Sequence, residues 1–328
     1  MQRTLFLVIL HRFCRPFFIR PNIELNLERV IIIHIFLVCC IEYSERYVLF
    51  LSLVAMKDLL ARAEEKGIAA GAFSVGNMEM VMGAVRAAEE TETPIILQIA
   101  EVRLKNSPLS LMGPMMLSAA ENASVPIAVH LDHGLHIETV NEALKMGFTS
   151  VMLDGSALPF DENTASVKEV VKEAQKYSAT VEAELGVVGG NEGEGKKHDI
   201  LCTNPDDAKR FCEETGIDAL AVAIGNAHGN YPVLPSLRFD ILEKINDVTD
   251  VPLVLHGGTG ITPEMFRRAI SLGIRKINIA TASFDSLALS AKDYCDRHEK
   301  ANYFELSRAE ADGVYKNVKR HIEIFNMK

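Results

Sequence analysis

The chain has 328 residues, of which 48% are hydrophobic, 24% charged and 7% aromatic. This is a globular composition, and it excludes a disordered, collagenous or coiled-coil chain. The formal net charge of −10 argues against a nucleic-acid partner, because such a surface needs clustered Lys and Arg to neutralise phosphates. Six scattered cysteines in a chain of this length exclude a small disulfide scaffold.

Residues 1–55 differ in composition from the rest of the chain. They carry six Arg, no Lys and four Glu, a net charge of +2, whereas the remainder sums to −12. Their two apolar runs, Val30–Ile41 and Tyr47–Ala55, are shorter than the roughly 20 residues that span a bilayer. We interpret residues 1–55 as a non-native or disordered extension and residues 56–328 as the folded domain. A membrane or targeting segment and a genuine structured appendage are the alternatives.

From Met56 onward, short β-rich runs alternate with amphipathic stretches. The predicted strands are Ile68–Phe73, Pro94–Ala100, Pro126–His133, Ser150–Asp154, Thr180–Leu185, Ala219–Ile224, Pro252–His256 and Arg275–Ala280. The predicted helices include Met78–Glu90, Ile137–Met146, Glu162–Tyr177, Asp206–Glu214 and Pro263–Leu272. Asn204-Pro205 and Thr262-Pro263 are typical helix starts, and Gly147, Gly216 and Gly273 are typical helix ends.

The strand pattern predicts the fold class. Runs such as Leu220–Ile224 and Leu253–Leu255 are continuously apolar, which indicates strands buried on both faces of a parallel sheet. Eight β/α units after Met56 match the size of an α/β (β/α)8 TIM barrel with extra C-terminal helices. A doubly wound open sheet is the alternative, and the absence of a GxGxxG after the first predicted strand weakens it.

Polar residues follow the predicted strands where each one ends, and in a (β/α)8 barrel those ends build the active site. His133, His228 and His256 each end a different strand and each is next to a glycine. Three imidazoles converging on one rim can form a catalytic zinc site with an open fourth position. His130, two residues before Asp132, is interpreted as a residue that lines the wall of the site or supports a ligand.

A second signal comes from the segment His256-Gly257-Gly258-Thr259-Gly260, which leads into the predicted helix at Pro263. Successive glycine amides before a helix N-terminus form a donor set for an anion, and residues 278–281 after the eighth strand can add donors. Together these segments suggest a phosphorylated substrate, although either alone could be a tight turn. Asp132 is the best candidate for proton transfer, with a carboxylate that only orients a histidine as the alternative.

At these residues the chain resembles the class II, zinc-dependent ketose-bisphosphate aldolases, the fructose- and tagatose-bisphosphate group. Six motifs carry the resemblance, in chain order: VHLDHG (129–134), SVMLDGS (150–156), VEAELG (181–186), AIGNAHGNY (223–231), PLVLHGGTGI (252–261) and KINIAT (276–281). The resemblance runs from about Lys57 to the C-terminal helices. It implies a lyase that reversibly cleaves a ketose 1,6-bisphosphate to dihydroxyacetone phosphate and glyceraldehyde 3-phosphate, with Zn²⁺ stabilising the enediolate.

The resemblance also implies roles for individual residues. Asp132 matches the catalytic acid/base, and Glu192 matches an acidic residue on a mobile glycine-rich loop that takes the proton from the ketose carbon. The metal ligands by this match are His133, His228 and His256, with Glu184 and Asp154 contacting the metal in an alternative position. Substrate-binding residues by this match are Gly229, Gly257, Gly258, Thr259, Asn278, Ile279, Ala280 and Thr281. A monovalent cation (Na⁺ or K⁺) near the phosphate and a homodimer or homotetramer are also implied.

Two departures from the family pattern bear on the substrate. Ala100, followed by Glu101 and Arg103, stands where many relatives have a phosphate-binding Ser or Thr. Ala280 stands where fructose-selective relatives often carry Asp or Asn, which favours tagatose 1,6-bisphosphate or dual specificity. The alternatives are a related aldolase for another phosphorylated or deoxy sugar acid, and a phosphosugar-binding subunit without activity. Cys202, Cys212 and Cys295 are expected to be reduced thiols in a cytoplasmic protein with no membrane association of the barrel.

Overall fold

Eight parallel strands close into a barrel in the computed structural model, which describes residues 52–190, 201–230 and 235–328. The strands are β1 (Ala70–Ser74), β2 (Ile95–Ala100), β3 (Ile127–Gly134), β4 (Ser150–Leu153), β5 (Thr180–Leu185), β6 (Gly189–Gly190), β7 (Ala219–Val222), β8 (Ala227–His228), β9 (Leu253–Leu255) and β10 (Ile274–Ile279). Around the barrel the strand order is β1, β10, β9, β7, β5, β4, β3 and β2, and a separate short pair is formed by β6 and β8.

Ten α-helices lie within the described residues, most of them in the connections between successive barrel strands. They are α1 (Met56–Lys66), α2 (Met78–Glu90), α3 (Leu109–Asn122), α4 (Ile137–Met146), α5 (Phe160–Ala174), α6 (Pro205–Thr215), α7 (Phe239–Val248), α8 (Pro263–Ser271), α9 (Thr281–Arg297) and α10 (Tyr303–Phe325). The (β/α)8 prediction with extra C-terminal helices is confirmed, and the closed order excludes the doubly wound open sheet.

The residues predicted to begin and end helices form the expected caps. The Asn204 side chain accepts hydrogen bonds from the amides of Asp206 and Asp207, and Thr262 accepts one from the amide of Met265. Gly147 and Gly216 adopt the left-handed conformation at the ends of α4 and α6. The boundaries therefore follow from local capping as well as from apolar periodicity.

Two features of the helices differ from the sequence patterns. The predicted helix Glu162–Tyr177 is an α-helix over Phe160–Ala174 that tightens into a 3₁₀ turn over Gln175–Tyr177. The sequence pattern does not predict the helix Leu109–Asn122, because its apolar residues surround much of its circumference and Pro114 lies inside it.

The two faces of the barrel strands bury different partners. One face packs against the surrounding helices, and the opposite face lines the barrel interior with small residues such as Ala72, Ala128 and Ala221. Met56 and Leu60 of α1 pack against these interior residues. Along β3 the interior face changes from Ala128 to His130 and Asp132, so polar groups lie toward the C-terminal ends of the strands.

The described chain begins with residues that pair with the barrel. Leu53 forms a parallel bridge with Ile127, the amide of Val54 donates to the Ile127 carbonyl, and the Ile127 amide donates to the Ser52 carbonyl at 2.5 Å. Residues 52–55, assigned from composition to the extension, are thus bonded to β3, while residues 1–51 lie outside the described part. Searching the described residues for a helix of sufficient length and apolarity to cross a membrane finds none.

His321 gives the folded state a predicted dependence on pH. It is buried on α10 against Phe266 and Phe325, and its Nδ1 lies 2.8 Å from the carbonyl oxygen of Asn317. Burial lowers the pKa of His321 to about 4, whereas in the unfolded chain it is near 6.5. Stability from this neutral histidine is therefore complete above pH 6.5 and is lost as pH falls toward 4.

We expect the titration of His321 alone to lower the free energy of unfolding by about 2 kcal/mol as the pH falls from 7.5 to 5. Denaturant unfolding at both pH values, on the parent and on His321→Gln, measures this contribution. Groups other than His321 titrate in both proteins, so the difference between the two pH-dependent losses isolates it. Equal losses in parent and variant would contradict the prediction.

Candidate active site

Three histidines from separate strands meet at the C-terminal end of the barrel. His133 lies near the end of β3, His228 in β8, and His256 directly after β9. The ring centroid of His133 lies 4.9 Å from that of His228 and 4.5 Å from that of His256, and the centroids of His228 and His256 are 6.0 Å apart. In the structure these three side chains lie together, as the sequence predicts.

A local irregularity in β3 turns His133 toward this site. In a regular strand Asp132 and His133 would point to opposite faces. The pairing of β3 with β4 instead shifts register between Leu131 and Gly134, and His133 has a φ of 40°. Because such a bulge redirects a side chain, Asp132 and its neighbour can both serve the same site.

Asp154 holds the His133 ring. His133 Nδ1 donates to Asp154 Oδ2 at 2.7 Å, and Asp154 Oδ1 accepts from the Ser156 amide and hydroxyl. Although burial opposes it, the hydrogen bonds from His133 and Ser156 keep the pKa of Asp154 well below its usual range. An ionised Asp154 thereby leaves His133 Nε2 as the nitrogen that faces the other histidines.

His256 is surrounded by two buried carboxylates of β5. Its Nε2 lies 2.8 Å from Glu182 Oε1 and its Nδ1 lies 3.1 Å from Glu184 Oε2. Glu182 Oε2 lies 2.8 Å from Lys276 Nζ. Burial and the neighbouring His133 lower the pKa of His256, but the two glutamates outweigh them and raise it to about 9.

His228 is positioned by the short strand pair and by Asn226. Gly190 of β6 pairs with His228 of β8, and the Asn226 side chain donates to the His256 carbonyl and accepts from the Ile224 amide. Burial, together with the His133 and His256 rings, holds the pKa of His228 well below its ordinary value. Its imidazole is therefore neutral near pH 7, which is the form that ligates a metal.

Asp132 is buried and held on both carboxylate oxygens. Oδ2 accepts from Gln98 Nε2 at 2.9 Å, and Oδ1 accepts from Asn278 Nδ2 at 3.0 Å. Gln98 Nε2 also donates to the Ser74 hydroxyl at 3.2 Å. The carboxylate is thus oriented by two amides of β2 and β10, at the same end of the barrel as the histidines.

His130 lies beside this carboxylate, inside the barrel. Its Nδ1 lies 2.8 Å from the Ser150 hydroxyl and its Nε2 lies 4.0 Å from Asp132 Oδ1. Burial and then the charge of Lys276 lower the pKa of His130 to about 3. A histidine that stays neutral in this way contributes packing and hydrogen bonding, not charge.

The segments after β9 and β10 are joined to each other. Gly257 has a φ of 64°, and a Cβ there would collide with the Ala227 carbonyl oxygen, so only glycine fits the turn. The amide of Gly258 donates to the Asn278 carbonyl, and Thr259 Oγ1 accepts from the amide of Ala282 in the first turn of α9. The predicted substrate-binding segments around Gly257 and Thr281 are therefore brought side by side.

The departure at Ala100 and Glu101 receives a structural explanation. Ala100 is buried at the end of β2, and the Glu101 carboxylate accepts from the amides of Leu135 and His136. It also contacts His136 Nδ1 at 2.5 Å and accepts from Thr139 Oγ1 at 2.9 Å. Glu101 therefore binds the segment that leads into α4 and, through Thr139, its first turn.

Comparison with known proteins gives the family. The family model described as fructose-bisphosphate aldolase class-II matches residues 54–328. The chain belongs to the class II fructose-bisphosphate aldolase family. Membership makes it an aldolase, a lyase of carbon–carbon bonds in the carbohydrate chemistry of glycolysis, and implies a divalent metal and a phosphorylated sugar substrate.

Relatives of this class II aldolase include two bacterial proteins and a solved structure. The fructose-bisphosphate aldolase of Geobacillus stearothermophilus is 42% identical over 240 residues, covering 70% of this chain and 82% of the relative. That of Staphylococcus aureus is 40% identical over 244 residues, covering 74% and 85%. The crystal structure of the YdjI aldolase from Escherichia coli K12 has a TM-score of 0.75 and 36% identity, covering 83% of this chain and 97% of that one.

The side chains of this class II aldolase fit the divalent metal that its family implies. One ligand atom from each of His133, His228 and His256 lies within 4.8 Å of the other two, and imidazole nitrogen is a ligand of zinc-type ions. His133, Asp154 and Glu184 form a second such group. His130, Asp132 and Glu182 satisfy the same distance, but Lys276 and the two amides on Asp132 already engage those carboxylates.

Some residues of this class II aldolase site were not recognised in its sequence. Gln98 contacts Asp132, Glu182 contacts His256 and Lys276 contacts Glu182, yet the sequence patterns assign none of the three a role. Their common signal is a polar residue inside an otherwise apolar strand, as in Leu97-Gln98-Ile99. Glu192 lies outside the described residues, so its predicted place at the site stays a prediction.

Proposed function

We propose that this protein reversibly cleaves fructose or tagatose 1,6-bisphosphate to dihydroxyacetone phosphate and glyceraldehyde 3-phosphate at a Zn²⁺ site. The observation that carries the proposal is the group of His133, His228 and His256, whose ligand atoms lie within 4.8 Å of one another. Asp132 directly precedes one of these histidines and is buried at the same end of the barrel. A metal site beside an oriented carboxylate suits the cleavage of a bond next to a ketone.

In the proposed site the three imidazoles hold the ion, and Asp154 and Glu184 with His133 offer it an alternative position. A bound Zn²⁺ supplies Lewis-acid stabilisation of the negative charge that develops on the ketone fragment. The protein therefore needs no lysine that forms a Schiff base. Lys276, buried in the interior, is engaged by Glu182.

Asp132 is the proposed proton acceptor. In the cleavage direction it takes the proton of the C4 hydroxyl; the electrons of that O–H bond form the aldehyde carbonyl, and those of the C3–C4 bond stay with the ketone fragment. In condensation Asp132 returns the proton. Gln98 and Asn278 keep both its oxygens oriented through this cycle. Glu192 is proposed to exchange the proton at the ketose carbon.

The phosphate of the dihydroxyacetone half is proposed to bind where the segments after β9 and β10 meet. The proposed contacts are Gly229, Gly257, Gly258, Thr259, Asn278, Ile279, Ala280 and Thr281. The start of α9 supports this assignment, because the N-terminus of a helix favours an anion. A monovalent cation, Na⁺ or K⁺, is proposed beside the same phosphate.

An aldol-cleavage assay with a chelator tests the proposed metal chemistry. We expect EDTA followed by desalting to abolish cleavage of fructose 1,6-bisphosphate, and stoichiometric Zn²⁺ to restore it. Adding Na⁺ or K⁺ to the restored enzyme then tests the monovalent site. Full activity in a protein shown by metal analysis to be free of divalent ions would contradict the Zn²⁺ proposal.

The ratio of kcat/KM for the two ketose bisphosphates tests the sugar preference. Ala280 directly precedes α9 and has no carboxylate or amide for the substrate, so we expect tagatose 1,6-bisphosphate to be used at least as well as the fructose isomer. A thousandfold preference for fructose 1,6-bisphosphate would contradict this. Exclusive use of another phosphorylated or deoxy sugar acid in the same panel would establish the related aldolase instead.

The oligomeric state and the cellular location of the protein are also proposed. We propose a homodimer or homotetramer, which light scattering of the purified chain measures directly. A cytoplasmic location agrees with Cys202, Cys212 and Cys295 being free thiols in the described residues. Burial raises the pKa of Cys212 to about 12, which makes this thiol unreactive near neutral pH.

A further inference from the structure

A buried carboxylate of β5 lies between a proposed metal ligand and a buried lysine. One oxygen of Glu182 contacts His256 Nε2 and the other contacts Lys276 Nζ, each at 2.8 Å. The side chains of all three residues are fully buried. Glu182 lies on β5, which pairs with β4 and β7, whereas Lys276 lies on β10, which pairs with β9 and β1. Because these two strands are not neighbours, the contact from Lys276 to Glu182 crosses the barrel interior.

The contact with Glu182 determines which nitrogen of His256 faces the metal site. An ionised carboxylate only accepts hydrogen bonds, so Nε2 of His256 carries a proton and donates it. The nitrogen left for a metal ion is Nδ1, on the side of Glu184 and of the His133 ring. Asn226 holds the His256 backbone carbonyl and does not fix the ring. Ring orientation and proton placement thus depend on the carboxylates of β5.

Lys276 explains how this carboxylate can be charged inside the barrel. A buried carboxylate without a partner is costly, and a buried ammonium without one is equally costly. Lys276 Nζ lies 2.8 Å from one oxygen of Glu182 and supplies the opposite charge, so each buried ion stabilises the other. Together the two side chains add no net charge beside the histidines.

We propose that Glu182 and Lys276 act as a positioning pair that holds His256 with Nδ1 toward the metal ion and thereby sets the affinity of the site for Zn²⁺. The inference rests on the proposed function, because it takes His256 as a ligand. Carboxylate partners of metal-bound histidines fix tautomer and orientation, and their loss typically weakens metal binding by about 10–100-fold. Neither member of the pair needs to touch the substrate.

Two double variants separate the hydrogen bond from the charge. Glu182→Gln/Lys276→Met removes both charges but keeps an amide oxygen that can accept from His256 Nε2. Its amide nitrogen then faces His130 Nε2, which in the parent lies 3.8 Å from Glu182 Oε2. Glu182→Leu/Lys276→Met removes both charges and the acceptor. Neither variant leaves a buried charge unpaired, so both are designed to fold.

The readouts are the Kd for Zn²⁺ from competition with a chromophoric chelator, and the absorption bands of the Co²⁺-loaded proteins. We expect the Gln/Met variant to stay within about threefold of the parent, and the Leu/Met variant to bind about 10–100-fold more weakly with altered Co²⁺ bands. The single variant Glu182→Gln should also bind weakly, because its oxygen is drawn to Lys276 and its amide then faces His256. Adding Lys276→Met should restore binding.

Equal Zn²⁺ affinity of the two double variants would overturn the positioning role, whether both match the parent or both lose binding. Circular dichroism and thermal unfolding establish that each variant is folded. Arg275→Met is a matched control on the same strand, since it breaks the ion pair with Glu64 outside the site and should leave the Kd unchanged. Failure of the parent to bind Zn²⁺ would instead contradict the proposed metal site itself.

Discussion

Replacing Asp132 with alanine is expected to lower kcat for ketose-bisphosphate cleavage by about 10²–10⁴-fold, the usual range for loss of a general acid–base. Gln98 and Asn278 hold the two oxygens of this buried carboxylate, and alanine leaves both amides without the group that they orient. The ligand atoms of the proposed metal site come from His133, His228 and His256. We therefore expect the variant to keep its full complement of Zn²⁺.

Measuring kcat together with the zinc content of the same preparation distinguishes lost proton transfer from lost metal. Asp218 supplies a matched control, because its carboxylate also accepts an amide hydrogen bond, here from the backbone amide of Val181 at the opposite end of the barrel. Asp218→Ala should leave kcat within about twofold of the parent once folding is established. An Asp132→Ala variant with more than a tenth of the parental kcat would show that another group moves the proton.

Much of the site could be predicted from the sequence because of how the barrel is built. Parallel strands in one closed sheet share an edge, so residues that end separate strands converge without any knowledge of their contacts. His133, His228 and His256 were recognised in this way, and the structure brings them together. The sequence predicts Asp154 near the metal, and in the structure Asp154 is hydrogen-bonded to His133, a proposed ligand.

The interior contacts could not be predicted in the same way. Lys276 reaches Glu182 across the barrel, between strands that do not pair with each other. Which residues face inward depends on strand register, and which of them meet depends on barrel closure. The bulge that turns His133 toward Asp132's side of β3 is likewise a property of the pairing with β4. Single-strand patterns contain none of this information.

Glu101 shows a structural role that motif comparison does not predict. It follows Ala100, which is one of the two departures from the family pattern, and the sequence assigns it no role of its own. In the structure its carboxylate binds the segment that leads into α4 by accepting from the amides of Leu135 and His136. A charged residue at the end of a barrel strand can thus stabilise the segment that leads into a helix, and need not face the site.

Substituting His228 with alanine is expected to remove the metal and, with it, the activity. His228 lies in the two-residue strand β8 and is only partly buried, so its loss leaves the barrel core intact. Loss of a partner of a metal ligand weakens binding by about 10–100-fold, so loss of a ligand should exceed the upper end of that range. After dialysis against metal-free buffer, we expect zinc well below one equivalent and cleavage activity reduced in proportion.

The matched control for this experiment is His136→Ala, which removes an exposed histidine paired with Glu101 and outside the group of three. It should keep both its zinc and its activity, which excludes a general effect of losing an imidazole. Titrating Zn²⁺ into metal-free His228→Ala then measures the weakened Kd directly. If that variant instead retained one tightly bound zinc per chain, His228 would not be a ligand, and the ion would have to be held by His133 with the carboxylates Asp154 and Glu184, whose ligand atoms are equally close together.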